Sequence, residues 1–178
     1  DQLLGQGTVA GLSGGAGLDV VEYRDADVAF PSDVPVRFDL AGTTPGTQHD
    51  QMRVFGESRT LTLGGAPLVV NPAGFAPGCN DQFVIVDMVE QSSSVSETFS
   101  YGGQPLPQGA TFNAGGRDFQ INYQGGDGND IVLTSTRAGN IDGAAFNTLV
   151  VESRSRRTHC DHVAVVHPTV ATITFDIA

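Results

Sequence analysis

The chain has 178 residues with 23 Gly, 9 Pro and no Trp, and its 20 acidic and 9 basic residues give a formal net charge of −11. This length suits one domain, or one domain with an extension, and can bury a core without metals or many disulfides. Composition and charge exclude a disordered chain and a membrane-inserted one, since no apolar run reaches the roughly 20 residues of a spanning helix, and they disfavour nucleic acid as a partner.

Short alternating or apolar runs bounded by Gly, Pro, Asn or Ser follow one another along the chain. They predict strands at residues 18–23, 28–30, 34–40, 52–55, 60–63, 67–70, 83–87, 95–101, 117–123 and 131–133. Pro35 places the third of these strands at a sheet edge or near a bulge. No stretch has the period of an amphipathic helix, so the sequence predicts an all-β fold, as a sandwich, a barrel or a solenoid.

The most informative stretch is residues 111–134, TFNAGGRDFQINYQGGDGNDIVLT. Residues 117–123 alternate as a half-buried strand does, and 131–133 form a second strand. Between them, GGDGND at 125–130 is a turn, because its glycines permit positive φ and its Asp and Asn side chains can bond to their own backbone. This pattern is typical of an extracellular β module.

An ordered series of short motifs lies between residues 49 and 134. It comprises Asp50-Gln51-Met52, Leu63-Gly64-Gly65-Ala66, Gly74-Phe75-Ala76-Pro77, Asp81-Gln82-Phe83, Glu97-Thr98-Phe99 and the run 123–133. The series resembles the C-terminal module of autotransporter-associated and related large bacterial surface proteins. This resemblance implies a β-solenoid or its capping end on a secreted or cell-surface protein, with a structural or adhesive role.

The chain departs from that pattern in two places. Cys79 interrupts the usual turn, and residues 137–178 have no counterpart in it. We therefore divide the chain into a β-rich module at 1–136 and a C-terminal β extension at 137–178. The chain starts at Asp1 without Met or a basic and apolar leader, which indicates either a removed signal peptide or a fragment.

Two segments fit the G-G-x-G-x-D core of RTX-like calcium-binding repeats, GGDGND at 125–130 and GGAGLD at 14–19. Asp127, Asn129 and Asp130 can form half of a calcium site. Asp19 is the matching carboxylate of the first copy. Calcium takes six to eight oxygens, which a β-roll supplies from stacked turns, whereas these copies lie far apart in sequence. The alternative is two tight turns, and no cofactor is required.

Cys79 and Cys160 are the only cysteines, too few for a disulfide framework and wrongly spaced for a structural zinc. If they pair, the bridge closes a loop of about 80 residues and contributes roughly 4 kcal/mol on the loop-entropy model. Otherwise they are two buried thiols.

In HCDH at 159–162, alternation on a strand brings at most two metal ligands together, so an edge strand or loop is the simpler interpretation.

Two further motifs do not indicate an enzyme. GLSGG at 11–15 would make Ser13 a nucleophile, but that motif works on a strand-to-helix turn and a strand is predicted at 18–23. RSRR at 154–157 is a positive patch in an acidic chain, and it suits a processing site, a docking point or a solvated hairpin tip.

The last strand is predicted at 170–177, where alternate side chains form an apolar stripe. The stripe consists of Ala171, Ile173, Phe175 and Ile177. It must be buried either within its own chain, against 149–152 or 163–166, or by completing a sheet in a neighbouring subunit. Strand addition of the second kind, repeated head to tail, builds a filament.

The sequence as a whole indicates a non-enzymatic extracellular structural module of a bacterial surface protein, fibre or adhesin. Its expected partners are further copies of itself or other surface-protein domains. The alternative is a calcium-dependent module that binds a glycan or a protein. The absence of Trp and the presence of only three Tyr favour the structural role, because glycan binders usually stack sugars on exposed aromatic rings.

Overall fold

The computed structural model describes residues 2–5, 19–72 and 74–136, with side chains from Asp19 onwards. These residues form β1 (Gln2–Gly5), β2 (Val20–Arg24), β3 (Val28–Ala29), β4 (Val36–Asp39), β5 (Gln51–Phe55), β6 (Thr60–Thr62), β7 (Leu68–Asn71), β8 (Gln82–Met88), β9 (Ser94–Ser96), β10 (Ser100–Tyr101), β11 (Gln104–Pro105), β12 (Thr111–Ala114), β13 (Arg117–Gly125) and β14 (Asp130–Ser135). The all-β prediction is confirmed. Within these ranges no helix is long and apolar enough to cross a membrane.

The strands β1 to β9 pair in parallel. β1 pairs with β2, and each of β2 to β6 pairs with the strand three places later in the chain. One sheet contains the parallel run β1, β2, β5 and β8, a second contains β3, β6 and β9, and a third pairs β4 with β7. A parallel bridge between Pro67 and Ser100 brings the start of β10 beside β7. The three-strand unit β2–β3–β4 therefore lies beside β5–β6–β7, which lies beside β8–β9–β10.

The remainder of the first sheet is antiparallel. β14 pairs with the far side of β8, followed by β13 and then β12, so the sheet order is β1-β2-β5-β8-β14-β13-β12. The register shifts between Ile131 and Val132 on the β8 side and between Asn122 and Gly125 on the β13 side. Glycines at positive φ, among them Gly115 and Gly116, make the tight turns that antiparallel neighbours need.

The core contains inward-facing residues of both the parallel and the antiparallel strands, and those of the parallel strands lie in register. Val21 pairs with Met52 and Met52 with Val86, while Tyr23 lies beside Val54. All of these except the partly buried Val21 are buried. Strands such as β4, β7 and β13 alternate because one face packs against this core and the other meets solvent, whereas β14 is buried on both faces.

Polar bonds tie each three-strand unit to the next. They join positions 31 to 35 residues apart, namely Asp19 to Asp50, Asn71 to Asp39, Thr60 to Asp27, Arg53 to Asp87, Ser96 to Thr62 and Ser100 to Gly65. The same sequence separation recurs on all three sheets. Equivalent positions of successive units are therefore neighbours throughout the parallel half.

The structure differs from the predicted strands in two respects. The single strand predicted at 95–101 is two strands, because β9 ends at Ser96 and Glu97 adopts a φ of 62°. The short strands β1, β11 and β12 were not predicted, since two to four residues with one or two apolar side chains carry little alternation. The extension at 137–178 lies outside the described residues.

Candidate functional site

The glycine-rich turn predicted at 125–130 connects β13 to β14. Gly126 and Gly128 have φ values of 55° and 118°. The Gly128 N–H donates to the Gly125 carbonyl at 2.8 Å. A Cβ on Gly126 would lie 1.7 Å from Asp130 Oδ2, so the turn requires glycine there for space as well as for backbone conformation.

Asp130 faces the sheet. Its side chain is buried, and Oδ1 accepts the Met88 N–H at 2.9 Å. Burial raises the pKa of Asp130, the nearby charges of Asp87 and Asp127 raise it further, and the bond from Met88 opposes them. This carboxylate joins the start of β14 to the end of β8, which is a structural role.

Asn129 fastens the turn to the loop after β8. Its Nδ2 donates to the carbonyls of Glu90 and Ser93, both at 3.0 Å. Its Oδ1 is buried and has no hydrogen-bond partner among the described residues. Asp127 is exposed, and its carbonyl accepts a long 3.5 Å bond from Gln91 Nε2. The three predicted calcium ligands of this turn therefore face different surroundings.

Asp19, the predicted fourth ligand, lies elsewhere. It precedes β2, and its N–H donates to Asp50 Oδ1 at 2.8 Å. The Asp19 carbonyl accepts the N–H of Gln51, the first residue of β5, whereas Asp130 bonds to Met88, the last residue of β8. Because β5 and β8 run parallel, Asp19 and Asp130 are at opposite ends of the sheet and the structure does not bring them together.

Asp50 forms a second carboxylate contact at the Asp19 end. Its Oδ2 accepts the Asp39 N–H at 2.8 Å, so one carboxylate holds the backbones of two strands. Burial raises the pKa of Asp50, and these two backbone bonds lower it.

Over residues 2–5, 19–72 and 74–136, no group of three or more His, Cys, Asp or Glu side chains is placed to hold a metal ion. Calcium binding stays a prediction.

A pocket of about 470 Å³ lies beside the turn, between the loop around β9 and the β13–β14 hairpin. Its walls are Gln91, Ser93, Ser94, Val95, Glu97, Thr98, Gln108, Tyr123, Gln124, Asp127, Gly128 and Asn129. Every lining side chain is uncharged or acidic. The sequence did not reveal this pocket, because its two walls come from segments that are distant in the chain.

His49 is a second feature that the sequence did not reveal. The ring is fully buried, with Nδ1 at 3.2 Å from the Gly42 carbonyl and Nε2 at 3.3 Å from the Val84 carbonyl. The ring packs edge-on against Phe83. Burial lowers the pKa of His49. A lone histidine in a turn-rich segment gives no sequence signal for this role, in which it links the loop before β5 to β8.

Charged residues on the outer face of the first sheet form a cluster across three strands. Arg53 Nε donates to Asp87 Oδ2 at 2.9 Å, and Arg53 also lies 3.7 Å from Glu22. The guanidinium groups of Arg24 and Arg53 lie over the Phe55 ring at 4.1 and 4.8 Å. These acids and bases neutralise one another, an arrangement that suits structural support.

Several predicted residues cannot be placed with this site. Cys79 lies in the turn before β8, while its predicted partner Cys160 is outside the described residues, so their pairing stays a prediction. Other predicted features also lie outside the described residues and stay predictions. They are Ser13, the segments HCDH and RSRR, and the assembly stripe Ala171, Ile173, Phe175 and Ile177.

Comparison with protein families, with curated proteins and with solved structures gives no significant match to this chain.

Proposed function

We propose that this chain is a non-enzymatic structural module of an extracellular bacterial surface protein, built as a β-solenoid with one end closed by antiparallel strands. The parallel pairing of strands three places apart carries this proposal. The series of motifs between 49 and 134 supports the surface location.

The strand order favours a solenoid over a sandwich. In a sandwich, strands pair mostly antiparallel through hairpins and Greek-key connections. Here the polar bonds between positions 31 to 35 residues apart recur on three sheets. That pattern fits a chain that completes one coil every 31 to 35 residues and stacks each coil on the one before.

The antiparallel strands suit an end cap. A stack of coils leaves the edge of its last strand open, and an open edge is a template for uncontrolled strand pairing. β14 covers the edge of β8, and β13 and β12 extend the sheet beyond it. The carboxylate of Asp130 and the amide of Asn129 fix this cap to the last coil.

The engagement of the buried polar groups supports a structural role rather than catalysis. Asp50 and Asp130 accept backbone N–H groups, and Asp87 accepts from Arg53. Catalytic carboxylates, by contrast, converge on a cleft where a substrate can reach them. Asp50, Asp87 and Asp130 are instead engaged in bonds between strands.

An engineered cross-link tests the solenoid. Thr60 and Ser94 are register partners on β6 and β9, so a Thr60→Cys, Ser94→Cys variant should form a disulfide that non-reducing peptide mapping detects. The matched control pairs Thr60→Cys with Ser96→Cys, two positions further along β9, where the Cα atoms are too far apart. Equal cross-linking in both variants, or none in the first, contradicts the stacked arrangement.

The assembly part of the proposal has a separate test. Deleting residues 169–178 removes the predicted apolar stripe and none of the described residues. If the stripe is donated to a neighbour, the wild type forms assemblies in light scattering and electron micrographs, and the truncated chain is a folded monomer. A truncated chain that unfolds without any change in assembly rules donation out.

A further inference from the structure

β14 covers the edge of β8, but the neighbouring edge of β9 is open. β9 is the outer strand of the sheet β3-β6-β9, with no strand on its other side within residues 2–5, 19–72 and 74–136. The Ser94 N–H donates to the Arg59 carbonyl and the Ser96 carbonyl accepts the Leu63 N–H, so both bonds point toward β6. The N–H and C=O of Val95, between them, therefore point away from β6.

This open edge is one wall of the pocket beside the β13–β14 turn. The pocket has a volume of about 470 Å³, and the β13–β14 hairpin forms its other wall. Two hydrogen bonds join the walls. Asn129 Nδ2 donates to the Ser93 carbonyl at 3.0 Å, and the Phe99 N–H donates to the Tyr123 hydroxyl at 3.1 Å. Residues 94–98 lie between these bonds, and a short extended segment can add to such an edge by main-chain hydrogen bonds.

Val95 also has an apolar side chain that its neighbours leave incompletely covered. It is the last member of a row of register partners, Val28 on β3, Leu61 on β6 and Val95 on β9. Val28 and Leu61 are 1% and 0% exposed, whereas Val95 is only partly buried. An apolar side chain on an added strand would continue this row and cover Val95.

The pocket is also acidic. Glu97 and Asp127 line it with exposed side chains. Among the described residues, no basic side chain lines the pocket and neither of these acids forms an ion pair. By contrast, Glu22, Asp39 and Asp87 each pair with an arginine. The pocket therefore attracts a segment that carries positive charge.

One stretch of the chain combines an apolar run with concentrated positive charge. Residues 149–157, LVVESRSRR, place three apolar residues before three of the nine basic residues of the chain. This stretch lies outside the described residues, which end at Thr136. β14 leads away from the pocket over six residues, or roughly 20 Å. The 12 residues 137–148 can span about 40 Å, which is enough for the chain to return.

We propose that residues 149–157 bind in this pocket of their own chain. An apolar side chain from 149–151 packs against Val95, the backbone of the segment bonds to the open edge of β9, and the arginines of 154–157 pair with Glu97 and Asp127. The proposal goes beyond the structural role of the module. Because the binding is intramolecular, the tether supplies an effective concentration on the order of 1 mM, so modest contacts are sufficient.

Limited trypsin digestion of the full-length chain, followed by mass spectrometry, tests the proposal. Trypsin cleaves after arginine, and a segment held in the pocket is cleaved only when it is released. Glu97→Gln combined with Asp127→Asn removes both charges and adds no trypsin site. This variant should be cleaved at 154–157 about fivefold faster than the wild type, because it loses two exposed ion pairs.

The matched control combines Asp33→Asn with Glu57→Gln. It makes the same change in net charge at two exposed acids outside the pocket lining, and its cleavage rate at 154–157 should equal that of the wild type. Equal rates in the wild type and the pocket variant overturn the proposal. Protection that increases with protein concentration assigns the pocket to the segment of a second copy, and it overturns the intramolecular proposal as well.

Two-dimensional ¹H–¹⁵N NMR of the full-length chain locates the contact. The variant for this measurement combines Arg154→Gln, Arg156→Gln and Arg157→Gln. It should shift the amide signals of Val95, Glu97 and Asp127 and leave that of Val69, on the outside of β7, unchanged. Unchanged signals at all three pocket residues mean that the segment does not bind there. Because the deletion of 169–178 keeps residues 149–157, failure of this proposal is distinct from failure of the assembly test.

Discussion

The parallel half of the molecule, β2 to β9, and its antiparallel end, β12 to β14, use similar alternating strands in different ways. In the antiparallel end, neighbours in space are neighbours in sequence, and glycine turns such as Gly115-Gly116 decide the pairing. In the parallel half, strand pairing joins residues 31 to 34 positions apart, and polar bonds join positions 31 to 35 apart in successive three-strand units. Local turns therefore set the pairing of β12, β13 and β14 with one another, whereas distant contacts set the pairing of the parallel strands and of β14 with β8.

The largest effect is expected from core truncation in either region. Phe119 on β13 is fully buried and contacts the rings of Phe83 and Phe112. Phe119→Ala should lower the free energy of unfolding by about 3 to 5 kcal/mol. Leu61→Ala on β6, equally buried, should cost about 2 to 5 kcal/mol. Urea unfolding measures both.

The control for both truncations is Val69→Ala, whose side chain is 38% exposed on the outside of β7. It should change stability by less than about 0.5 kcal/mol. If Phe119→Ala leaves the parallel half folded while Leu61→Ala unfolds everything, the two regions are separate cooperative units. A single transition in every variant means that the cap and the coils fold together.

The second prediction concerns how closely the three-strand units approach one another. A Cβ on Gly64 would lie 2.5 Å from the Phe30 carbonyl oxygen of the preceding three-strand unit, and Gly64 has a φ of 60°. Gly64→Ala should therefore cost about 2 to 3 kcal/mol, through backbone strain and the clash together. Gly65→Ala is the matched control.

Gly65 has a φ of 73°, but nothing lies within 4 Å of its Cβ position. Gly65→Ala should cost about 1 kcal/mol from backbone strain alone. Thermal unfolding of the two variants isolates the contact with Phe30. Equal losses would mean that the two three-strand units can move apart without cost, contrary to the close approach of Gly64 to the Phe30 carbonyl.

The sequence predicted most strands of both regions and the glycine turn at 125–130, because alternation and turn chemistry are local. It did not predict which strands pair. Glu22, Arg53 and Asp87 meet only because the register places them side by side on β2, β5 and β8. Asp19 and Asp130 share a motif, yet the topology places them at opposite ends of one sheet. The pocket depends on the same long-range register.

The third prediction is a pH dependence of opposite sign at two buried groups, His49 and Asp130. His49 belongs to the parallel half, and burial lowers its pKa from the usual 6.5. The unfolded chain then binds more protons than the folded one between the lowered pKa and 6.5. The contribution of His49 to stability is therefore fully present above pH 6.5 and is lost as pH falls from 6.5 to the lowered pKa.

Asp130 belongs to the antiparallel end, and burial raises its pKa from the usual 3.8. Here the folded chain binds more protons, so this contribution is present below 3.8 and is lost as pH rises through the raised pKa. Unfolding free energies measured across pH should lose the first slope in His49→Gln. They should lose part of the second slope in Asp130→Asn, because burial also raises the pKa of Asp50. A slope that is unchanged in its own variant assigns the titration to another group.

The smallest effect is expected from the charged cluster on the outer face. Arg53 bonds to Asp87 and lies near Glu22, but its side chain is 33% exposed and water screens the pairs. Arg53→Met keeps the packing over Phe55 and removes the charge, so it should cost less than about 1 kcal/mol at low salt and less still at high salt. A double-mutant cycle with Asp87→Asn measures the pair itself. A coupling well above about 1 kcal/mol would mean that the ion pair, and not only the core, holds the coils in register.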